Sequence, residues 1–241
     1  MSLRNNSIQI FSDVFLSSQL NSKNKVVLSS HLLQHVKSIE ETMVVNKKSK
    51  KAKQKESMSK ERKISKLISI ASAAYMVAVG LVKKKYKEID KEVFENIESI
   101  LLTCLNVENQ FLNRICAEGL VLLYKQLTTP EYMISTIEIT MAKLDEEVKA
   151  GTKSVTNIQK HVYLLGNILR HTDMDKTTDV KDSLLQVFIN LSKTANSVLR
   201  QYVMHFLSMN DQEEFFTNTY PICFHQMQTD ILPELFITNS M

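Results

Sequence analysis

Glycine and proline are almost absent from this chain, with four Gly and three Pro among its 241 residues. A sheet protein of this size needs many tight turns, and tight turns rely on these two residue types. The rest of the composition is rich in Lys, Glu, Leu and Met, which favour helices. The chain is therefore predicted to be all-α, with long helices joined by short polar connections.

Apolar residues recur at helical spacing along most of the chain and predict about ten helices. Thr129 followed by Pro130 marks one helix start, because threonine is a good N-cap and proline is tolerated at the first helical position. The predicted helices cover approximately residues 5–18, 22–45, 60–84, 88–105, 109–127, 130–150 and 153–171, with three more after residue 179.

Alternate predicted helices begin near residues 88, 130 and 179, which gives a period of roughly 40 to 50 residues, as in two-helix repeats. Each helix pair buries its apolar stripe only by stacking on the next pair. This pattern predicts a right-handed α-solenoid of stacked helical hairpins, and a compact helical bundle remains the alternative. The predicted segments are N-terminal helices (1–45), a basic disordered loop (46–63), helical repeats (64–218) and a C-terminal tail (219–241).

The segment LLTCLNVENQFLNRICAEGLVLL, residues 101–123, resembles the turn and second helix of a HEAT repeat. A Leu-rich first helix ends at Asn106, and a patch of small residues from Cys116 to Leu120 follows the turn. HEAT repeats place an arginine directly after an aliphatic residue at the start of the second helix. Here Arg114 stands one place later than in the family pattern, with Asn113 in between.

A second segment, LLQVFINLSKTANSVLRQYVMHFL at residues 184–207, resembles the same repeat in the family's register. Asn196 lies in the turn and Arg200 follows Leu199 at the start of the second helix. The resemblance implies a HEAT- or armadillo-like stack. It also implies structural roles in the repeat turns for Asn106, Arg114, Asn196 and Arg200.

The order of features over residues 64–210 is similar to one stretch of the large HEAT-repeat protein 5 family, which comprises accessory proteins of clathrin adaptor complexes. An apolar Ala-rich helix is followed by the repeat at 101–123, a loosely patterned helix pair and a further helix. Members of that family are many times longer. The resemblance implies vesicle trafficking, with a cytoplasmic protein located peripherally at the Golgi or endosomes.

A basic run from Lys47 to Lys63 carries nine Lys or Arg and two Glu in seventeen residues of a chain whose net charge is only +4. Because it is too polar to bury apolar surface, it is predicted to be a mobile loop. It is either a plain linker, a nuclear-import signal, a contact for nucleic acid phosphates or a contact for anionic lipid. The candidate contact residues are Lys47, Lys48, Lys50, Lys51, Lys53, Lys55, Arg62 and Lys63.

No arrangement of residues predicts catalysis, a cofactor or a metal site. The chain has no glycine-rich phosphate loop and no G-x-S-x-G motif. His31 and His35 have the i, i+4 spacing of metal ligands but lack a third ligand nearby. Three irregularly spaced cysteines, at 104, 116 and 223, indicate a reducing compartment rather than a disulfide framework. We expect a protein that is not an enzyme.

The segment from Ile64 to Val82 is apolar enough to require a membrane test, since a spanning helix needs roughly 20 apolar residues. Lys66, Ser69 and Ser72 interrupt it, and its many alanines are typical of a helix packed between other helices. It is interpreted as a buried helix, so no transmembrane segment is expected.

The sequence thus favours a non-catalytic scaffold that grips a helix or an extended peptide of a protein partner. An adaptor complex is the partner that the narrower resemblance implies. The alternative is a nuclear or nucleic-acid-associated HEAT-repeat protein that uses the basic residues 47–63.

Overall fold

The computed structural model describes residues 3–45, 53–149 and 155–171, together with six isolated positions between 184 and 203. This part of the chain is all-helical and contains no strand. Its seven helices are α1 (Leu3–Phe15), α2 (Ser22–Val45), α3 (Lys53–Lys83), α4 (Lys91–Leu105), α5 (Gln110–Leu127), α6 (Pro130–Lys149) and α7 (Val155–His171).

Polar N-cap residues set the starts of four helices, close to the positions that the sequence predicts. The Asn21 side chain accepts a hydrogen bond from the amide of Asn24 at the start of α2. Asp90 and Asn109 cap α4 and α5 in the same way. Thr129 caps α6, as predicted, through its side-chain oxygen and the amide of Tyr132. Each cap satisfies an amide that has no partner within its helix.

The predicted loop over 46–63 was wrong for residues 53–63, which form the first three turns of α3. These residues are mainly Lys, Gln, Glu, Met and Arg, which are good helix formers, and they include neither Gly nor Pro. Glu56 and Lys60 also have the i, i+4 order that supports a helix. High polarity excludes burial, but it does not exclude a helix that continues into an apolar segment.

Helices α1 and α3 pack side by side in the same direction within the first compact unit, Met1–Met133. The Ser12 hydroxyl donates to the carbonyl of Met76 over 2.9 Å. One turn further along both helices, Leu16 lies against Gly80, where an added Cβ would stand 2.3 Å from Leu16 Cδ1. Glycine at position 80 therefore permits the close approach of α1.

Helices α3 and α5 also pack side by side in the same direction. Tyr75 of α3 lies beside Gly119 of α5. Towards the C-terminal ends of the two helices, the Gln126 side chain donates to the carbonyl of Tyr86, just after α3. Since both contacts advance in the same direction along the two helices, α1, α3 and α5 run parallel in one layer.

Helices α2 and α4 form a second parallel pair in this unit. At their starts, the Ser22 hydroxyl donates to Asp90 over 2.8 Å. Two turns later, the buried Asn96 amide donates to the hydroxyls of Ser29 and Ser30 over 3.1 and 3.0 Å. The N-terminal helices α1 and α2 are therefore part of the same core as α3 to α5.

The first turn of α6 continues the second layer beside α4. The Tyr132 hydroxyl donates to the Glu98 carboxylate over 2.8 Å. The Tyr132 ring meets Tyr124 of α5 edge-on, with the ring centroids 5.2 Å apart. Burial is the main reason why the pKa of Tyr124 is raised above its ordinary value. Both tyrosines therefore act as neutral packing and hydrogen-bonding groups.

The second compact unit covers Ile134–Met241. The stripe predicted for α7 is confirmed at Val162, Leu165 and Leu169, which are buried. Predictions for helices beyond residue 171 fall mostly outside the described residues. Of the isolated positions described there, Leu184, Phe188, Leu191 and Val203 are helical and buried.

His161 of α7 makes the stability of this unit depend on pH. Burial is the main cause that lowers its pKa to about 4, and nearby Lys160 and Lys143 lower it further while Glu147 opposes them. The unfolded chain takes up the proton first as the pH falls below the ordinary value of 6.5, so stability is lost between pH 6.5 and 4.

On acidification, the variant His161→Gln is expected to lose about 1–2 kcal/mol less of its free energy of unfolding than the original chain does. This figure allows for the partial exposure of the ring. Urea unfolding of both proteins at pH 7 and pH 4.5 measures the difference. The control is His31→Gln, which changes an exposed histidine of α2. Equal acid sensitivity of all three proteins would contradict this account.

Candidate functional site

The turn between α4 and α5 is closed by the buried side chain of Asn113. Its amide donates to the carbonyls of Leu105 and Val107 over 2.6 and 3.1 Å. Leu105 is the last residue of α4, so its carbonyl has no partner within the helix. Asn113 therefore joins the end of one helix to the second turn of the next.

Asn113, rather than Arg114, holds this turn. The Arg114 side chain is exposed, and the structural role that the family resemblance implies for it stays a prediction. Asn106 does lie in the turn, where it is the C-cap of α4 and its side chain donates to the carbonyl of Leu102 over 3.1 Å. Asn196 lies outside the described residues, and Arg200 is a half-buried helical position.

The structure describes the side chains of two of the basic residues predicted as contacts, Arg62 and Lys63. Lys53 and Lys55 lie in the first turn of α3, and Arg62 is exposed on the same helix. The Lys63 ammonium donates to the carbonyl of Thr42 over 3.0 Å, in the last turn of α2. That turn has carbonyls without helical partners and a negative dipole end, so Lys63 acts as a cap. Lys47, Lys48, Lys50 and Lys51 lie outside the described residues.

The connection from α3 to α4 contains a lysine in a left-handed conformation. Lys85 has φ of 52°, and the amides of Lys85 and Tyr86 donate to the carbonyls of Val82 and Leu81. These are the two hydrogen bonds of a Schellman motif, whose left-handed position is usually glycine. A side chain at this position costs energy because its Cβ crowds the backbone.

Replacement of Lys85 by glycine is therefore expected to raise the free energy of unfolding by about 1 kcal/mol. Urea unfolding followed by circular dichroism measures the change. The matched control is Lys84→Gly, at the preceding position, where φ is not positive. Glycine is expected to destabilise that position, because it adds freedom to the unfolded chain without relieving strain. If Lys85→Gly is no more stable than the original chain, the Schellman assignment is wrong.

A cleft of about 160 Å³ opens beside this connection, where α1 ends and α2 and α4 begin. Its buried floor is apolar. Its opening carries polar groups of both charges, including Lys25, Glu88 and Asp90. The Asp90 pKa is lowered, mainly by the Ser22 hydroxyl and then by the amide of Glu92. The floor is formed by Phe15, Leu16, Val77, Leu81 and Val93.

One lysine, Lys25, lines the cleft, together with the two carboxylates of Glu88 and Asp90. Four further lysines, at positions 83, 84, 85 and 87, are neighbours in sequence of the lining residues Tyr86 and Glu88. Lys25 is half-buried, whereas the other four are exposed. Within the described part of the chain, none of the five takes part in a salt bridge.

Two other candidate groups offer little chemistry. Cys104 and Cys116 are buried, and burial raises the pKa of the Cys116 thiol well above its ordinary value. A protonated and inaccessible thiol is a poor nucleophile. Over the described ranges, no three His, Cys, Asp or Glu side chains come together as metal ligands would.

One described segment, Ser59–Lys83 in α3, has the length and apolar composition that crossing a membrane requires. Composition alone does not distinguish a membrane span from the core helix of a soluble protein. In this unit, α1 and α5 both pack against α3, and Leu67, Val77 and Leu81 are fully buried.

Comparisons with protein-family models, with curated proteins and with solved structures find no match to this chain.

Two features of this region were not predicted from the sequence, the lysines after α3 and the role of Asn113. The density of lysine in KKKYK, residues 83–87, was available as a signal for the first. The role of Asn113 had no such signal, since an asparagine in the first turns of a helix is equally compatible with an exposed position.

Proposed function

We propose that this protein is a non-catalytic scaffold, built as a HEAT- or armadillo-like α-solenoid, that binds another protein. The observation that carries the proposal is the direction of alternate helices in the first unit. Helices α1, α3 and α5 run parallel in one layer, and α2 and α4 run parallel in the other. Stacked helical hairpins of a right-handed solenoid pack in this alternating way.

Exposed apolar side chains on the outer helices support a binding role. Ile10 and Val14 of α1 are 62% and 53% exposed, and they lie on the opposite face of the helix from buried Ser12. On α2, Val27 and Leu28 are also exposed. Exposed apolar groups that cluster on one helix face are common at sites of protein association.

The resemblance to accessory proteins of clathrin adaptors gives a more specific form of the proposal, in which the partner is an adaptor subunit at the Golgi or endosomes. The alternative partner class is nucleic acid, reached through residues 47–63. The hydrogen bond from Lys63 to the last turn of α2 weighs against that alternative, because one charge of the basic run already makes a contact within the fold.

Affinity purification of the full chain, followed by reconstitution with purified components, tests the proposal. We expect a protein partner that binds in a fixed ratio and whose binding survives treatment with nuclease. Adaptor subunits among the partners would support the trafficking form. A chain that binds no purified protein, but converts a small molecule when incubated with a cell extract of metabolites, would contradict the scaffold. Binding abolished by nuclease would favour the alternative.

A further inference from the structure

We propose that Cys104 of α4 and Cys116 of α5 form a modification site, at which a peroxide converts the two thiols into a reversible disulfide that locks the α4–α5 hairpin. This inference goes beyond the proposed scaffold function and does not depend on it. It rests on the register of the two helices, on their close approach at Gly119 and on the contact between the two thiols.

The register of the α4–α5 hairpin places the two cysteines opposite each other. The two helices pack together and are joined by residues 106–109 alone, and so short a connection makes them antiparallel. Leu101 of α4 lies against Gly119 of α5. Cys104 stands three residues after Leu101, and Cys116 stands three residues before Gly119. Since residues three apart share one face of a helix, both pairs belong to the same interface.

Gly119 brings the two backbones close together at this interface. A disulfide forms only where the two Cα atoms lie about 4.4–6.8 Å apart. An added Cβ at Gly119 would stand 3.3 Å from both methyl groups of Leu101, so glycine permits the close approach. The thiols of Cys104 and Cys116 hydrogen-bond to each other. A disulfide therefore requires the two sulfur atoms to move only from contact to bonding distance.

Burial protects both thiols while the hairpin is closed. The two side chains are fully buried, and burial, with a smaller effect of the Cys104 thiol, raises the pKa of Cys116. Because the thiolate is the form that attacks a peroxide, the closed hairpin reacts slowly. Oxidation therefore requires local opening of the hairpin, and its rate follows the population of the open form. Disulfides in a reducing compartment are usually transient, which fits a pair that reacts only on opening.

The reaction takes place in two steps, with hydrogen peroxide as the oxidant. One thiol loses its proton, and its sulfur attacks an oxygen of the peroxide. The S–O bond forms, the O–O bond breaks, and the departing hydroxide takes up the proton as water. The second thiol then attacks the resulting sulfenic acid, so that the S–S bond forms, the S–O bond breaks and a second water leaves. Two thiols are oxidised to one disulfide, and one peroxide is reduced to two waters.

The neighbouring thiol decides the product of the oxidation. An isolated cysteine that has become a sulfenic acid continues to sulfinic acid in excess peroxide. Here the second sulfur lies in contact with the first whenever the hairpin closes, so its attack is intramolecular and fast. The disulfide then joins the last turn of α4 to the second turn of α5. It stabilises the hairpin by restricting the open and unfolded states of the chain.

Peptide mapping of the full chain tests the proposal directly. The chain is treated with hydrogen peroxide, the remaining thiols are alkylated, and the protein is digested with trypsin without reduction. Because trypsin cleaves after Arg114, the three cysteines fall in separate peptides, at residues 92–114, 115–125 and 201–241. We expect the main cross-linked product to join peptides 92–114 and 115–125 in monomeric protein, and to disappear on treatment with dithiothreitol.

The variant Asn113→Leu tests the requirement for opening. It loses the hydrogen bond that holds the end of α4 to α5, so disulfide formation is expected to be faster by about 10-fold or more. The matched control Arg114→Lys changes the adjacent exposed residue and retains the trypsin site. It is expected to change the rate by less than about 2-fold. Equal rates in the original chain and both variants would overturn the requirement for opening.

Urea unfolding tests whether the disulfide locks the hairpin. The peroxide-treated chain is expected to unfold at a higher urea concentration than the reduced chain, and dithiothreitol is expected to reverse this shift. The control Cys104→Ala receives the same treatment and carries the same methionines, whose oxidation dithiothreitol does not reverse. It is expected to show no shift that dithiothreitol reverses.

The proposal is overturned if Cys104 and Cys116 remain thiols after peroxide treatment, in the original chain and in Asn113→Leu alike. It is also overturned if they are recovered as sulfinic acids, or if their cross-links join Cys223 or a second copy of the chain. A disulfide between Cys104 and Cys116 that leaves the urea midpoint unchanged would overturn the lock. None of these outcomes bears on the scaffold function, which the binding of purified partners tests separately.

Discussion

Replacement of Asn113 by leucine is expected to lower the free energy of unfolding by about 2–4 kcal/mol. Leucine has a similar volume but donates no hydrogen bond. The variant would leave the carbonyl of Leu105, at the end of α4, without this donor, whereas the carbonyl of Val107 in the turn would keep the hydrogen bond from the Asn109 amide. Loss of a buried partner costs more than the net gain from forming the bond, because the remaining group stays desolvated.

Two measurements make this expectation specific to the turn. The control Arg114→Ala changes the adjacent exposed residue and is expected to alter stability by less than about 0.5 kcal/mol. Hydrogen exchange is expected to rise in α4 and α5 of Asn113→Leu, whereas peptides from α7 in the second unit should be unchanged. If Arg114→Ala costs as much as Asn113→Leu, the arginine rather than the asparagine secures the turn.

Replacement of Gly80 by valine is expected to lower stability by about 3 kcal/mol. An added Cβ would stand 2.3 Å from Leu16 Cδ1 and 3.4 Å from the Ser12 hydroxyl oxygen. Either the Leu16 side chain must turn away, towards the cleft that it lines, or α1 must shift away from α3. The shift would also weaken the hydrogen bond from Ser12 to the carbonyl of Met76.

The double variant Leu16→Ala/Gly80→Val tests the cause of this loss. Each single change is destabilising, but the alanine removes the atoms that the valine would meet. The double variant is therefore expected to be more stable than the sum of the single effects predicts, by about 1–2 kcal/mol. Urea unfolding of the four proteins gives the coupling energy. Additive losses would mean that α1 does not approach α3 at Gly80.

Helix positions were predictable from sequence because each helix carries its own local signals. Periodic apolar residues and polar caps placed α2, α5 and α7 within a few residues of their observed limits. The error at residues 53–63 arose because a polar segment gives no apolar periodicity, although its residues have high helix propensity. Helix propensity determined the structure of residues 53–63, whereas the prediction of a loop had relied on their lack of apolar surface to bury.

Contacts between distant segments were not predictable from one sequence. The hydrogen bonds of Asn96 with Ser29 and Ser30 join residues more than sixty positions apart, and nothing local marks these residues as partners. The same holds for the cleft, whose walls come from α1, α2, α3 and the segment that leads into α4.

The direction of α2 relative to α4 tests the stacked arrangement most directly, and cross-linking of native lysines measures it. With a short amine-reactive cross-linker on the full chain, Lys91 at the start of α4 is expected to link to Lys23 at the start of α2. Lys37 lies fourteen residues, or roughly 21 Å, further along α2, so its link to Lys91 is expected to be absent. A Lys37–Lys91 link without a Lys23–Lys91 link would show antiparallel helices and contradict the stacked hairpins.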